Sequence, residues 1–313
     1  MGILRKDYFL DRWTFFAAGR KKRPMEFKLD GKQDSSEKTC LFCPSNIHLT
    51  PKEIGRVEEK GAWKIRWFPN KFPAVQLKGS PNLNKKNKFL LEGNTYGVHE
   101  VIVETPEHNK QVADLDIDHI KEVLEVCLLR VKILSKDKNI KYVTVFKNNG
   151  PLAGTSLVHS HIQVASLSIL PSEIDAKIKA AKKLNHCPYC SIIRLESKSK
   201  RRIIETKNAL AFAPFASRFN YEAWILPKRH IAGIELKDGE LDDMSMILKK
   251  ILSKLKSINA SYNFYFQYSK KEDNLHFHIE VAPRIAKWAG FEYSTGAAIN
   301  SVLPEDAAKF YRR

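Results

Sequence analysis

The strongest constraint on this chain is that one order of motifs occurs in it twice. The first pass runs from Cys40-Leu41-Phe42-Cys43 through the alternating segment Trp63–Phe68, His99–His108 and an apolar-periodic stretch from Asp114 to Lys136. It ends with the strand-like Tyr142–Phe146 and the segment Thr155–Gln163. The second pass reads Cys187-Pro188-Tyr189-Cys190, Ala209–Phe215, Tyr221–His230, Asp238–Ile258, Tyr262–Gln267 and His276–Glu280. His108 and His230 each stand eight residues after a glutamate, with a proline two or three residues before them. An order this long recurs by duplication, not by chance. Each pass mixes period-two strands with one helix of period 3.6, so the chain is expected to fold as two α+β modules, residues 1–170 and 171–313. The join falls between Ile169 and Asn185, where Ser172-Glu173-Ile174-Asp175 opens a short helix.

At 313 residues there is room for two domains of about 150 residues, each with its own core. An apolar content of 43% fits a soluble globular protein. No apolar run approaches the ~20 residues a membrane span needs, and Met1–Asp7 lacks the apolar core of a signal peptide. A cytoplasmic location is expected and no membrane partner. The net charge of +18 favours anionic ligands. Its lysine-rich runs, Lys85–Lys88 and Lys198–Arg202, read as solvated spacers, and no nucleic-acid-binding spacing accompanies them. A nucleic-acid partner is therefore not expected, and small phosphorylated substrates suit the field equally well. The segment Trp13–Ala18 reads as a short strand, and Lys78–Lys88 as a loop.

Chemistry concentrates at the repeated positions. Cys-x-x-Cys pairs in a reducing compartment are metal ligands or redox dithiols. Histidines at matched places in both halves favour metal, since a redox pair would not need them. Tetrahedral zinc takes four such ligands. The expected quartets are Cys40, Cys43, His108 and His159, and Cys187, Cys190, His230 and His276, both closed and therefore structural. Cys127 falls on the apolar face of a helix and reads as core. On a strand, His159, His161 and Gln163 share one face while Val158, Ile162 and Val164 turn mainly to the other. With His159 given to zinc, His161 becomes the candidate nucleophile, because an imidazole attacks phosphorus well and leaves well once phosphorylated. Gln163 is placed to donate to a phosphoryl oxygen. Ser156 and the amides of the Gly150–Gly154 loop could cradle the anion. The second half carries His278 and Glu280 instead, so only the first half is expected to be catalytic.

At this point the residues resemble the hexose-1-phosphate uridylyltransferase branch of the histidine-triad superfamily, over nearly the whole chain. "RKD…RW…GRKKRP" resembles its N-terminal signature, which implies phosphate or sugar-phosphate contacts from Arg20 and Arg23. "RWFPNKF" resembles its nucleotide-binding segment and nominates Asn70; "TPEHN" matches the segment bearing the third zinc ligand, here His108. "FKNNGPLAGTSLVHSHIQ" matches the active-site segment, which implies covalent catalysis by His161 and phosphate contacts from Asn148, Ser156 and Gln163. "KWAGFEYSTG" resembles the sugar-contacting segment that family dimers supply to the neighbouring site, nominating Lys287, Phe291 and Glu292. The resemblance implies antiparallel sheets packed with helices, a homodimer, and UDP-hexose and hexose-1-phosphate as substrates. The chain departs from the common pattern at Ser160, where most members have proline, at Thr155, where most have cysteine, and at Lys71, usually acidic. Its second Cys-x-x-Cys resembles a branch that includes plant-type adenylyltransferases acting on ADP-glucose, as well as archaeal-type uridylyltransferases. Uridylyl transfer between UDP-hexose and hexose-1-phosphate, phosphorolysis of ADP-glucose or of dinucleoside polyphosphates with phosphate as acceptor, and zinc or iron in the second site all stay open. A zinc-stabilised nucleic-acid-binding module without turnover ranks below both enzymes, because it leaves His-x-His-x-Gln unexplained.

Overall fold

The computed structural model describes residues 2–8, 10–17, 36–184, 186–269, 273 and 275–313. In chain order its elements are β1 (Ile3–Lys6), β2 (Trp13–Phe16), β3 (Gly55–Glu59), β4 (Ala62–Pro69), β5 (Leu83–Lys85), β6 (Leu91–Asn94), β7 (His99–Val103), α1 (Ile117–Leu134), β8 (Tyr142–Asn149) and β9 (His161–Leu167). There follow α2 (Ser172–Lys182), α3 (Pro188–Glu196), β10 (Arg202–Glu205), β11 (Ala209–Phe212), β12 (Ala223–Pro227), α4 (Asp238–Ser257), β13 (Tyr262–Gln267), β14 (His278–Pro283), α5 (Gly290–Thr295) and α6 (Pro304–Arg312). Two compact units result. The first comprises Met1–Lys110, Glu125–Phe146 and Ser156–Ala176; the second comprises Gln111–Leu124, Lys147–Thr155 and Lys177–Arg313.

In the first unit, strands run side by side in the order β8-β9-β7-β4-β3, and a smaller sheet runs β2-β1-β6-β5. In the second the order is β10-β11-β12-β14-β13. The two longer orders are one topology written twice. In chain sequence, each has an antiparallel hairpin (β3–β4, β10–β11), a third strand (β7, β12), a helix (α1, α4) and an outer strand (β8, β13). The His-x-His strand (β9, β14) then inserts between that outer strand and the third one. The duplication expected from the motif order is therefore present in the strand order, and the fold is α+β with antiparallel sheets.

Sequence pattern explains these elements well where one face is buried. On α4, Leu241, Met244, Leu248, Ile251 and Leu255 recur every three or four residues and all are buried, the stripe a helix shows toward a core. Cys127 is buried on α1. In the first unit Phe42, Trp63, Phe68, Val101, Val103 and Leu157 form an apolar cluster that also encloses Cys40 and Cys43.

Two expectations change. The His-x-His strand starts at His161, so His159 lies in the bend before it and does not share a strand face with His161 and Gln163. The Lys78–Lys88 stretch contains β5, which pairs with β6. All of β5 is exposed, so backbone pairing holds it and no apolar alternation announces it. The second Cys-x-x-Cys opens a helix, α3, with Cys187 as its N-cap and Pro188 in its first turn, where a missing N–H costs nothing.

Candidate active site and metal centres

The first quartet is assembled by three loops in the first unit. Cys43 caps the short 3-10 helix Pro44–Leu49, and Asn46 ties this turn by donating to the Cys40 carbonyl at 2.8 Å. His108 follows β7 and His159 precedes β9. Nδ1 of His159 lies 3.5 Å from Cys40 Sγ and 3.6 Å from Cys43 Sγ, and His108 Nδ1 lies 3.4 Å from Cys43 Sγ. All four ligand atoms sit within 4.8 Å of one another and all four residues are buried. Bonds of about 2.3 Å to sulfur and 2.0–2.1 Å to nitrogen give tetrahedral edges of about 3.5 Å, so the spacing fits one tetrahedral ion. His159 donates from Nε2 to the Thr105 carbonyl at 2.8 Å. That bond fixes the tautomer and leaves the Nδ1 lone pair facing the thiols.

His161 is oriented by its neighbour's backbone. Its Nδ1 donates to the His159 carbonyl at 2.9 Å, which puts the ring's lone pair on Nε2. Phe42 packs edge-on against the ring, with centroids 5.3 Å apart. Ser160, between the two histidines, turns its hydroxyl to the buried Glu104 carboxylate and donates to it. Where proline would stiffen the His-x-His segment through its ring, here a hydrogen bond fastens it to the end of β7.

Gln163 is held by a residue that spacing alone did not single out. The Ala74 backbone N–H donates to His99 Nδ1 at 3.0 Å, so His99 carries its proton on Nε2 and donates it to Gln163 Oε1 at 3.1 Å. With its oxygen engaged, Gln163 presents its amide nitrogen as a donor. Asn70 joins the group, its Nδ2 lying 3.5 Å from Gln163 Oε1 and its Oδ1 accepting from Phe72 N at 2.8 Å. The first unit thus brings together the quartet, His161, Gln163, Asn70 and His99. The signal for His99 lay in register: Val101 pairs with Gln163 and His99 with Ala165, so β7 runs beside the motif.

The second quartet repeats the geometry. Nδ1 of His276 lies 3.9 Å from Cys187 Sγ and 3.7 Å from Cys190 Sγ, and His230 Nδ1 lies 3.5 Å from Cys190 Sγ. His276 donates from Nε2 to the Pro227 carbonyl at 2.9 Å. Burial brings the His276 imidazole down to about 4, keeping it neutral as a ligand must be. Burial, then the neighbouring Cys187, pushes the Cys190 thiol up to about 11; a bound cation would reverse that and hold the thiolate. This quartet is more open, with His230 exposed and both cysteines half-buried. Two thiols and two imidazoles at these spacings fit one metal ion in each half.

Beyond this quartet the likeness stops. His278 again donates from Nδ1 to the preceding histidine's carbonyl, at 2.7 Å, but its Nε2 lies 3.2 Å from Glu280 Oε1. Lys177 approaches the same oxygen at 2.5 Å, and Arg218 stands 3.7 Å from the other. Burial by itself would raise the Glu280 carboxyl; its bonds to His278 and Lys177 outweigh that and bring it down to about 2. Tyr189 and Trp224 lie against the His278 ring, with centroids 5.0 and 5.2 Å away. A fully buried imidazole with a carboxylate on the nitrogen that would have to attack is not a nucleophile.

The other expected site residues are placed as follows. Asn148 is the next-to-last residue of β8 and is half-buried, Gly154 is exposed with φ +78°, and Ser156 is half-buried in the bend that follows. Lys287 is exposed in the segment before α5, and Phe291 is 52% exposed on it. Glu292 is buried, and its carboxylate accepts from Ala289 N at 2.9 Å and Ile299 N at 3.4 Å. These backbone bonds lower its pKa and show its side chain serving its own helix. Arg20 and Arg23 lie outside the described residues. Among the described residues no helix is long and apolar enough to cross a membrane.

Residues 4–171 match the family model described as galactose-1-phosphate uridyl transferase, N-terminal domain. This chain belongs to the galactose-1-phosphate uridylyltransferase family. A second model, a domain of unknown function (DUF4921), matches residues 96–310. Within the wider family, an ADP-glucose phosphorylase of Arabidopsis thaliana is 33% identical, over 99% of this chain and 92% of that protein. A galactose-1-phosphate uridylyltransferase of Thermotoga maritima is 31% identical, over 99% and 97%. The crystal structure of an Arabidopsis thaliana ADP-glucose phosphorylase with bound ADP-glucose superposes with a TM-score of 0.76 at 30% identity, covering 99% of this chain and 98% of that one. The chain is thus a nucleotidyltransferase of the galactose-1-phosphate uridylyltransferase family, in the histidine-triad superfamily.

Proposed function

We propose that this protein is a UDP-glucose–hexose-1-phosphate uridylyltransferase that works in two steps through a covalent nucleotidyl-His161. The observation that carries this reading is the orientation of His161, whose Nδ1 bond to the His159 carbonyl leaves the ring's lone pair on Nε2. In the first step Nε2 attacks the α-phosphorus of UDP-hexose; a P–N bond forms, the bond to the bridging oxygen breaks, and hexose-1-phosphate leaves with its electron pair. The ring becomes an N-phosphoryl imidazolium whose remaining N–H stays on the His159 carbonyl. In the second step an oxygen of another hexose-1-phosphate attacks phosphorus and the P–N pair returns to Nε2. Gln163, Ser156 and the Gly150–Gly154 backbone would stabilise the developing phosphoryl charge, Asn70 would contact the nucleotide, and Asn148 the phosphates. Zinc in the two quartets supplies structure, four protein ligands leaving no open position.

Residues 1–170 would be the catalytic module and 171–313 the scaffold. Arg20 and Arg23 would contact sugar phosphate, and Lys287, Phe291 and Glu292 would serve a partner's site in a cytoplasmic homodimer. Gel filtration with light scattering tests the dimer, and metal analysis tests for zinc or iron.

A second reading is favoured by the 33% identity to an ADP-glucose phosphorylase: the same His161 chemistry with an adenylyl group and phosphate as acceptor. Incubation with UDP-glucose plus galactose-1-phosphate, and separately with ADP-glucose plus phosphate, decides between them. Exchange in the first pair, with an acid-labile uridylyl adduct at His161, is expected. Turnover in the second pair alone would replace uridine by adenine, and no adduct in either would end the covalent mechanism.

A further inference from the structure

In the second unit, the amide of Asn148 sits at the end of a chain of donors that begins on a cation. Arg284, just after β14, donates from Nε to Asn263 Oδ1 at 2.6 Å. Asn263, on β13, donates from Nδ2 to Asn148 Oδ1 at 2.8 Å and to the Ala153 carbonyl at 3.0 Å. A guanidinium has donors and no acceptor. The oxygen of Asn263 must therefore face Arg284, and its NH2 must face Asn148. Asn148, receiving at its oxygen, has to present its own NH2 elsewhere. Each amide would otherwise be free to turn end for end; here the arginine dictates the polarity of both.

Arg284 is itself clamped. Its guanidinium lies 4.0 Å from the centroid of the Phe219 ring, and its backbone N–H donates to the Ser261 carbonyl at 2.7 Å. Phe219 in turn stacks on Trp288, with centroids 5.5 Å apart and planes 11° from parallel. Ser261, at the entry to β13, also closes on the loop that follows Asn148. Gly150 has φ +83°, and a Cβ there would run into Ser261, coming within 3.1 Å of its Cα. One short group of residues, Ser261, Asn263 and Arg284, thus sets both the Asn148 amide and the backbone of the Gly150–Gly154 loop. All these contacts lie within the second unit.

We propose that Arg284 and Asn263 are positioning residues for phosphoryl binding, fixing Asn148 so that it offers N–H and not C=O to the anion. This rests on the reading of Asn148 as a phosphate contact given above. Neither residue touches the substrate, and no bond is made or broken by them.

The deciding variant is Asn263→Asp. It keeps the shape and still accepts from Arg284, but it cannot donate to Asn148 Oδ1. Asn148 then turns its oxygen toward the anion. We expect kcat/KM to fall by about 100-fold, the scale for one preorganised donor, with little change in Tm. Asn148→Ala should fall by a similar factor, and the double variant Asn148→Ala with Asn263→Asp by no more than the single one, because both act through one amide. Arg284→Lys should recover part of what Arg284→Met loses. Losses that multiply in the double variant, or an Asn263→Asp enzyme at the wild-type rate, would overturn the relay. A separate readout needs no turnover. In protein labelled with 15N-asparagine, the side-chain NH2 signal that disappears in Asn148→Asp should shift in Asn263→Asp, and an unmoved signal would also overturn the relay. If wild type turns over neither substrate pair, or Asn148→Ala keeps full activity, the functional reading beneath it fails while this spectrum still reports the relay itself.

Discussion

The two His-x-His segments share a metal quartet and a backbone but not a job, and the side chain two residues on makes the difference. In both, the leading histidine turns Nδ1 to two cysteines and Nε2 to a carbonyl, and the second histidine donates Nδ1–H to the first one's carbonyl. After His161 comes Gln163, whose oxygen is engaged by His99. After His278 comes Glu280, which occupies Nε2 and binds Lys177 as well. An amide places no charge beside the neighbouring imidazole; a carboxylate does, and here it engages Nε2 of His278 directly. The common frame is what the ligand quartet and backbone make, and one substitution in it separates the proposed nucleophile from a buried strut.

Removing the two second histidines in turn is the hardest test of that contrast. His161→Ala should lower nucleotidyl exchange by at least about 10⁴-fold, as expected for loss of a covalent nucleophile, with the circular dichroism spectrum unchanged. His278→Asn should leave turnover per folded molecule nearly intact while lowering Tm. Equal losses in both would erase the asymmetry. Gln163→Glu makes the first site resemble the second. The new carboxylate would take Nε2 and repel the phosphoryl group, and a drop of about 100-fold in kcat/KM is expected.

The reciprocal change, Glu280→Gln, should cost stability instead of activity. The Glu280 carboxyl is lowered from 4.5 to about 2 in the fold, so folding favours its charged form. The resulting stabilisation is complete above pH 4.5, declines as pH falls from 4.5 toward 2, and is gone below that. It amounts to about 3 kcal/mol for this buried group. Urea unfolding should show wild type more stable than Glu280→Gln by roughly that amount at pH 7, with the gap narrowing between pH 4.5 and 2. A gap independent of pH would mean that packing, not charge, is what the variant removes. The smallest contrast is kinetic. Because His230 is exposed and the first quartet is wholly buried, a chelator should strip the second site first, so that metal per chain falls in two phases. A single phase would mean that the two sites open together.

Much of this was legible in the sequence because duplication supplies an internal control. A Cys-x-x-Cys alone is ambiguous, but two of them with histidines at matching offsets specify two quartets, and the structure gathers those residues into two groups. The helix expected over Asp238–Ile258 and the strand over Tyr262–Gln267 are observed almost residue for residue, since each has a clear buried face. What escaped has no such face or depends on contacts distant in sequence. β5 is exposed throughout. α3 hid behind a proline that reads equally well as a turn. The role of His99 becomes visible only when the register of β7 against β9 is known. The error over His159 is instructive in another way: a ligand that must point Nδ1 at two thiols cannot also keep strand geometry, so period-two reasoning failed where the metal geometry takes over.

That same residue has a consequence for how the protein would respond to losing its metal. The ring of His159 faces the cysteines, while its carbonyl holds the proton of His161. An ion in the quartet and the proposed nucleophile are therefore separated by a single residue and share no atom. An empty site would leave His161 chemically whole but aimed by a peptide held only through the bonds to Thr105 and Glu104. The loss would be one of bearing, not of reactivity, and it would return as soon as the ion did.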